Sequence, residues 1–123
     1  MTPMQTEIAL TFRFDAAHHF PKAGPDHRYG RMHGHSFEAA VHVRGIPDPT
    51  MGFIVDFDAL RAACARLHDA LDHQLLNEVP GLETPSLENI ASWLWRQLIG
   101  EFPGLVRIEV ARPSMGERCF YSG

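Results

Sequence analysis

Three histidines, His18, His33 and His35, carry the clearest chemical signal in this chain. Phe12-Arg13-Phe14-Asp15-Ala16-Ala17-His18 reads as a strand that ends on histidine. Alternate residues of a strand share a face, so Phe12, Phe14, Ala16 and His18 point one way. His33 and His35 obey the same parity if Met32 to Arg44 is extended. Two such strands side by side bring three neutral imidazoles to one point. That is a facial tris-histidine site with a fourth position open to water or substrate, the layout of catalytic zinc. Histidine-only ligation also suits iron, nickel or copper. Gly34 leaves room for close approach. Unrelated polar residues beside a loop would explain any one of these histidines, but not three at matching parity.

A second group is Asp72-His73, at the end of a helical segment. Spacing leaves two readings open. The helix dipole favours a histidine there, with Asp72 merely exposed. Alternatively, the carboxylate orients the imidazole as a general acid or base. His19 faces away from His18. His42 lies off the His35 face and is expected in solvent. His27 and His68 carry no argument.

The elements that must position these groups follow from periodicity. Ile8 to His18 is a strand, and Phe20 to Arg31 a loop punctuated by Pro21, Gly24, Pro25 and Gly30. His35 to Gly45 alternates, with Phe37, Ala39, Val41 and Val43 on one face. These two strands are expected to be antiparallel neighbours. Ile46 to Gly52 is a turn, followed by a short extended Phe53-Ile54-Val55. A helix runs from about Asp56 to Asp72, capped by Asp56 or Asp58, with an apolar stripe of Phe57, Leu60, Cys64, Leu67 and Leu71. A second helix starts near Thr84-Pro85, with Thr84 as cap and Leu87, Ile90, Ala91, Leu94 and Leu98 as its stripe. Trp93 and Trp95 read as packing residues. Leu105 to Arg112 is a strand, and Cys119 to Tyr121 a last short one. The order β-β-α-α-β-β predicts an α+β fold with helices on one face of an antiparallel sheet.

Composition narrows the partners. The chain has 123 residues, 45% apolar and 21% charged, with a net charge of -4. That suits one domain spanning 1–123. No Lys/Arg cluster suggests a nucleic-acid surface, and no run approaches a membrane span. Met1 to Ala9 lacks the pattern of a secretory leader. Cys64 and Cys119 are expected as reduced thiols in a cytoplasmic protein, Cys64 as a buried small hydrophobe. Eight histidines are the one compositional anomaly.

An ordered series of segments then identifies a family. Phe12-x-Phe14-x-Ala16-Ala17-His18, Gly30-Arg31-Met32-His33-Gly34-His35-Ser36-Phe37, Gly52-Phe53-Ile54-Val55-Asp56-Phe57, Leu71-Asp72-His73-x-x-Leu76-Asn77 and Pro85-Ser86-x-Glu88-Asn89-Ile90-Ala91 follow one another along most of the chain. This series closely resembles the 6-pyruvoyl-tetrahydropterin synthase / 6-carboxy-tetrahydropterin synthase family. The resemblance implies the T-fold, a four-stranded antiparallel sheet backed by two helices. It implies a homo-oligomeric barrel, usually a hexamer of two stacked trimers, with active sites at subunit interfaces. It implies zinc on His18, His33 and His35, holding the side-chain oxygens of the small-molecule substrate 7,8-dihydroneopterin triphosphate. It also implies that Asp72-His73 assists proton transfer. The bacterial branch makes 6-carboxy-tetrahydropterin on the way to queuosine, releasing acetaldehyde and triphosphate. A cation beside the hydroxyls lowers the cost of negative charge on oxygen as C–H protons leave.

Two positions depart from the family pattern. The family's catalytic cysteine stands four residues before the first histidine of His-Gly-His, where this chain has Tyr29. Tyr29 is either a space-filling loop residue or a phenol in place of the thiol. The unperturbed phenol titrates near ~10 against ~8.5 for the thiol, which makes it the poorer base. At the end of the third strand the family carries a glutamate that accepts from the pterin's amino-pyrimidinone edge. Arg112 stands there, and an arginine offers only donors. Glu117 or Glu109 is then left to serve that edge, and Ser86 sits where the family uses a hydroxyl near the substrate. Three functions are compatible with this pattern. The chain is a zinc-dependent lyase on dihydroneopterin triphosphate or a related compound. Or it is a zinc enzyme for a different, anionic substrate recognised by Arg112. Or it is a non-catalytic metal-bound paralogue.

Overall fold

The computed structural model describes residues 5–123. The reading of Met1 to Ala9 as leaderless falls partly on residues 1–4, which lie outside the described residues. Strands β1 (Thr6–His18) and β2 (His33–Gly45) form a long antiparallel pair, joined by a loop that holds two short 3-10 turns. Helices α1 (Phe57–Leu71) and α2 (Leu87–Leu98) follow, then strands β3 (Leu105–Arg112) and β4 (Glu117–Tyr121). The sheet order is β1-β2-β3-β4, antiparallel throughout. The predicted element order is the observed one.

Alternation explains which face the helices cover. Leu10, Phe14, Ala16 and His18 of β1 are buried, as are Phe37, Ala39, Val41 and Val43 of β2. They meet Leu60, Cys64, Leu67 and Leu71 of α1 and the Leu87–Leu98 stripe of α2. Phe57 departs from the expected stripe. It is the first residue of α1 and 41% exposed, and Ala63 fills the buried position instead. Cys64 is buried as expected, and burial pushes its thiol up to about 11. Both cysteines are free thiols.

The helix starts show one difference. Asp56 caps α1, accepting from the Asp58 N–H. Ser86, not Thr84, caps α2, its hydroxyl accepting from the Asn89 N–H. Ser86 is the last extended residue, with φ -72 and ψ 165, and the helical turn begins after it. No helix of the described residues is long and apolar enough to cross a membrane.

Candidate metal centre and its cavity

The register of β1 on β2 assembles the histidines. His18 lies opposite His33, and His35 lies opposite Ala16, two residues further along the same face. Ring centroids stand 4.6 Å apart for His18 and His33, 5.1 Å for His18 and His35, and 4.9 Å for His33 and His35. One nitrogen from each ring falls within 4.8 Å of the other two.

Hydrogen bonds orient two of the rings. His18 Nδ1 lies 2.9 Å from the Pro85 carbonyl and His33 Nδ1 lies 2.7 Å from the Arg31 carbonyl. A carbonyl only accepts, so each Nδ1 carries the proton and each Nε2 keeps its lone pair. His18 Nε2 and His35 Nε2 are buried with no hydrogen-bond partner. Two orphaned ring nitrogens in one cluster, with Nδ1–H bonds behind His18 and His33, suit a tris-imidazole metal site. The residues present therefore fit a divalent cation.

Electrostatics point the same way. Burial, chiefly, holds His18 down at about 4, while the Pro85 bond opposes it. Burial and then the Arg112 charge lower His35. Both rings are neutral near pH 7, as ligation demands. A test follows for the metal-free protein. Between about 6.5 and about 4 the unfolded His18 takes up a proton that the folded one refuses, so stability falls as pH falls through that window. One proton corresponds to about 1.4 kcal/mol per pH unit at most. Urea melts across this range should show that slope, and a His18→Gln variant should lose its part of it. Parallel slopes would refute the assignment.

A cavity of about 460 Å³ opens beside the cluster, lined by His33, His35, Tyr29, Ser86, Arg112 and Glu117 together with Phe20, Arg28 and Glu88. Most of the residues singled out in the sequence thus meet in one place. Tyr29 is 47% exposed and is set by the loop. Phe20 N–H donates to the Tyr29 carbonyl at 2.7 Å, and the Arg28 guanidinium lies 5.2 Å over the phenol ring. Gly30 permits this fold-back, since a Cβ there would collide with the Gly24 carbonyl. Arg112 Nε lies 2.9 Å from Glu117 Oε1. Glu109 is overturned as a candidate for the pterin edge. Strand parity puts it on the opposite sheet face, with Arg118 at 3.6 Å and Arg107 at 3.7 Å. His42 lies on that face too. It is not free in solvent as expected, since Glu7 takes its Nδ1–H at 3.0 Å and Glu109 lies 3.5 Å from its Nε2.

Asp72 and His73 do not join this cavity within one chain. His73 lines a separate groove with Asp15, Gly34, Ser36 and His35, and Asp72 stands behind it. His73 Nδ1–H donates to Asp72 Oδ2 at 2.7 Å, and the His73 side chain is 80% exposed. The pair is held against the edge of β1. Asp15 N–H donates to Asp72 Oδ1 at 2.9 Å, and the Asp15 carbonyl accepts from His73 N–H at 2.6 Å. His73 has φ 59, a left-handed conformation that a non-glycine residue adopts at a cost. The Asp15 N–H and then His73 hold Asp72 below the ordinary carboxylate range, and Asp72 raises His73 above the ordinary imidazole value. Spacing alone left a dipole effect or an oriented dyad; the geometry is an oriented dyad.

Sequence reasoning overlooked Glu88 and Asn77. Glu88 lines the cavity from the first turn of α2 and has no ion-pair partner among the described residues. Its place in the segment Pro85 to Ala91 was the available signal. Asn77 clasps the backbone just past His18, accepting from His19 N–H at 3.1 Å and donating to the His19 carbonyl at 2.9 Å.

Comparison with known proteins agrees with this geometry. The profile of the family described as 6-pyruvoyl tetrahydropterin synthase matches residues 7–123. The chain is 36% identical to a 6-carboxy-5,6,7,8-tetrahydropterin synthase of Synechocystis sp., over 94% of this chain and 92% of that one. It is 31% identical to a dihydroneopterin monophosphate aldolase of Pyrococcus furiosus, over 86% of each chain. The structure of a 6-pyruvoyl tetrahydropterin synthase from Caenorhabditis elegans superposes with a TM-score of 0.86 at 22% identity, covering 100% of this chain and 99% of that one. That last likeness establishes the T-fold.

Proposed function

The chain belongs to the 6-pyruvoyl tetrahydropterin synthase family, and from that premise we propose that it is a zinc-dependent lyase acting on 7,8-dihydroneopterin triphosphate or a related dihydroneopterin phosphate. The observation that carries this reading is the pair of buried, unpartnered Nε2 atoms of His18 and His35, in a cluster that borders a cavity lined by acid, base and hydroxyl groups. His18, His33 and His35 would hold the metal. Such an ion supplies Lewis-acid stabilisation of negative charge on the substrate's side-chain oxygens.

The protein groups divide the remaining tasks. Glu88 is a carboxylate without an ionic partner and accepts the N–H donors of an amino-pyrimidinone edge, the role Arg112 cannot take. Ser86 accepts one bond at the α2 cap and keeps its O–H for the cavity. Tyr29 places a phenol where the family has a thiol, and there it exchanges a proton with the substrate. Asp72-His73 is exposed and off the cavity of its own chain. In the oligomer, a hexamer in this reading, the dyad completes the cavity of a neighbouring copy as general acid and base. The setting is the queuosine or pterin pathway of the cytoplasm.

Incubation of zinc-loaded protein with 7,8-dihydroneopterin triphosphate should release acetaldehyde and triphosphate. Tyr29→Phe should slow turnover while leaving zinc content unchanged. No turnover combined with no pterin binding would remove the pterin reading. Unaltered turnover in Tyr29→Phe would remove only the role of its hydroxyl.

A further inference from the structure

Arg112 is the residue this cavity leaves unexplained. Register puts Ala111 opposite Glu38, so the next residue of β3 comes level with Phe37, on the face that carries His35. Its side chain is only 19% exposed, at the rim of the histidine cluster. Its one ion-pair partner among the described residues is Glu117, opposite it across the tight β3–β4 turn. Although Nε lies 2.9 Å from Glu117 Oε1, the contact is off the N–H direction, and the buried Nε–H makes no hydrogen bond. A guanidinium has five donors in a planar fork matched to two oxygens of a phosphate or carboxylate. Here that fork makes an ion pair but no hydrogen bond among the described residues. A second cation, Arg28, lines the same cavity with no acidic partner among the described residues. A doubly charged group suits this pair of cations better than a single carboxylate does.

We propose that Arg112, held in reserve by Glu117, is a specificity determinant that recognises a phosphate ester on the substrate's side chain, next to the histidine cluster. This rests on the pterin reading above and refines it. Glu88 takes the ring end of the substrate, and Arg112 takes the anionic end. Glu117 keeps the guanidinium neutralised until a phosphate displaces its carboxylate. The site then favours phosphorylated dihydroneopterins over the free alcohol, through binding.

Neopterin and neopterin monophosphate, titrated by pterin fluorescence into the zinc-reconstituted protein, are the probes. The wild type should bind the phosphate ester at least about tenfold tighter, as one bidentate charge-assisted contact allows. Arg112→Gln should bring the two ligands within about threefold, and Arg112→Lys, which keeps charge without the fork, should fall between. Glu117→Gln should widen the gap, because it releases the fork. The opposite signs of the Arg112 and Glu117 variants are the discriminating result, since an ion pair with a purely structural role would make both weaken both ligands alike. Equal wild-type binding of the two pterins, or an unchanged gap in Arg112→Gln, overturns this proposal and leaves the pterin reading standing. Binding of neither pterin overturns the pterin reading, and this proposal with it.

Discussion

Metal-free protein is expected to melt at least about 10 °C below the zinc-loaded protein. The reason is local. His18 is fully buried, its Nδ1–H is spent on Pro85, and its Nε2 points at two other imidazoles with nothing to accept. His35 Nε2 is orphaned in the same way. The fold carries that desolvation cost until a cation relieves it. A ligand that binds only the native state at a thousandfold excess over its dissociation constant adds about 4 kcal/mol. For a domain of this size, each kcal/mol moves the midpoint by roughly 3–5 °C. Differential scanning calorimetry with and without zinc reads this directly. Coincident melts would mean that the histidines are satisfied without metal. In His33→Ala or His35→Ala the zinc-dependent rise should vanish, since even outer-sphere partners of a metal site are worth about 10–100-fold in affinity.

The second large effect concerns the exposed dyad. Loss of the His73 imidazole should lower kcat by roughly 10²–10⁴ while zinc content stays at the wild-type level. His73→Asn is the cleaner substitution, because asparagine tolerates the left-handed conformation at φ 59. Asp72 raises His73 above the ordinary imidazole value, first by its hydrogen bond and then by its charge. His73 therefore keeps its proton to higher pH than an ordinary imidazole and can serve as the acid. Activity should fall as pH rises through the raised value. In Asp72→Asn that limb should move to lower pH, since the stabilising carboxylate is gone. The linked stability has the same sign: it is complete below the ordinary imidazole value and is lost as pH rises through the raised one. A pH–rate profile that Asp72→Asn leaves in place would show that the dyad is structural.

The histidine cluster was legible in the sequence because strand parity is a strong rule. With period two, His18 shares a face with Phe14, and His35 shares one with Phe37, whatever the exact strand ends. The fold followed from the alternating and three-four patterns of the apolar residues. Other features depend on contacts between residues distant in the chain. The Pro85 and Arg31 carbonyls that fix the imidazole tautomers leave no mark in the pattern of side chains. Glu109 and Glu117 look equivalent as nearby carboxylates until the β3–β4 register separates them, one to each face. His42 reads as solvent-facing by alternation, and indeed it faces away from the helices. Its neighbours Glu7, Arg107 and Glu109 enclose it, and they come from the two strands that flank its own. Asp72 and His73 announce themselves as adjacent residues, but their separation from the cavity of their own chain is visible only in three dimensions. The α2 cap was misplaced by two residues, at Thr84 rather than Ser86, because either hydroxyl next to Pro85 can cap a helix.

Every reading of the site depends on three imidazoles gripping one cation. Elemental analysis of protein reconstituted with zinc and freed of excess ion tests this most directly. The expected result is about one zinc per chain in the wild type, and almost none in His33→Ala and His35→Ala variants that keep the wild-type circular dichroism spectrum. A wild type that retains no stoichiometric metal after reconstitution, or variants that retain as much as it does, would contradict the account.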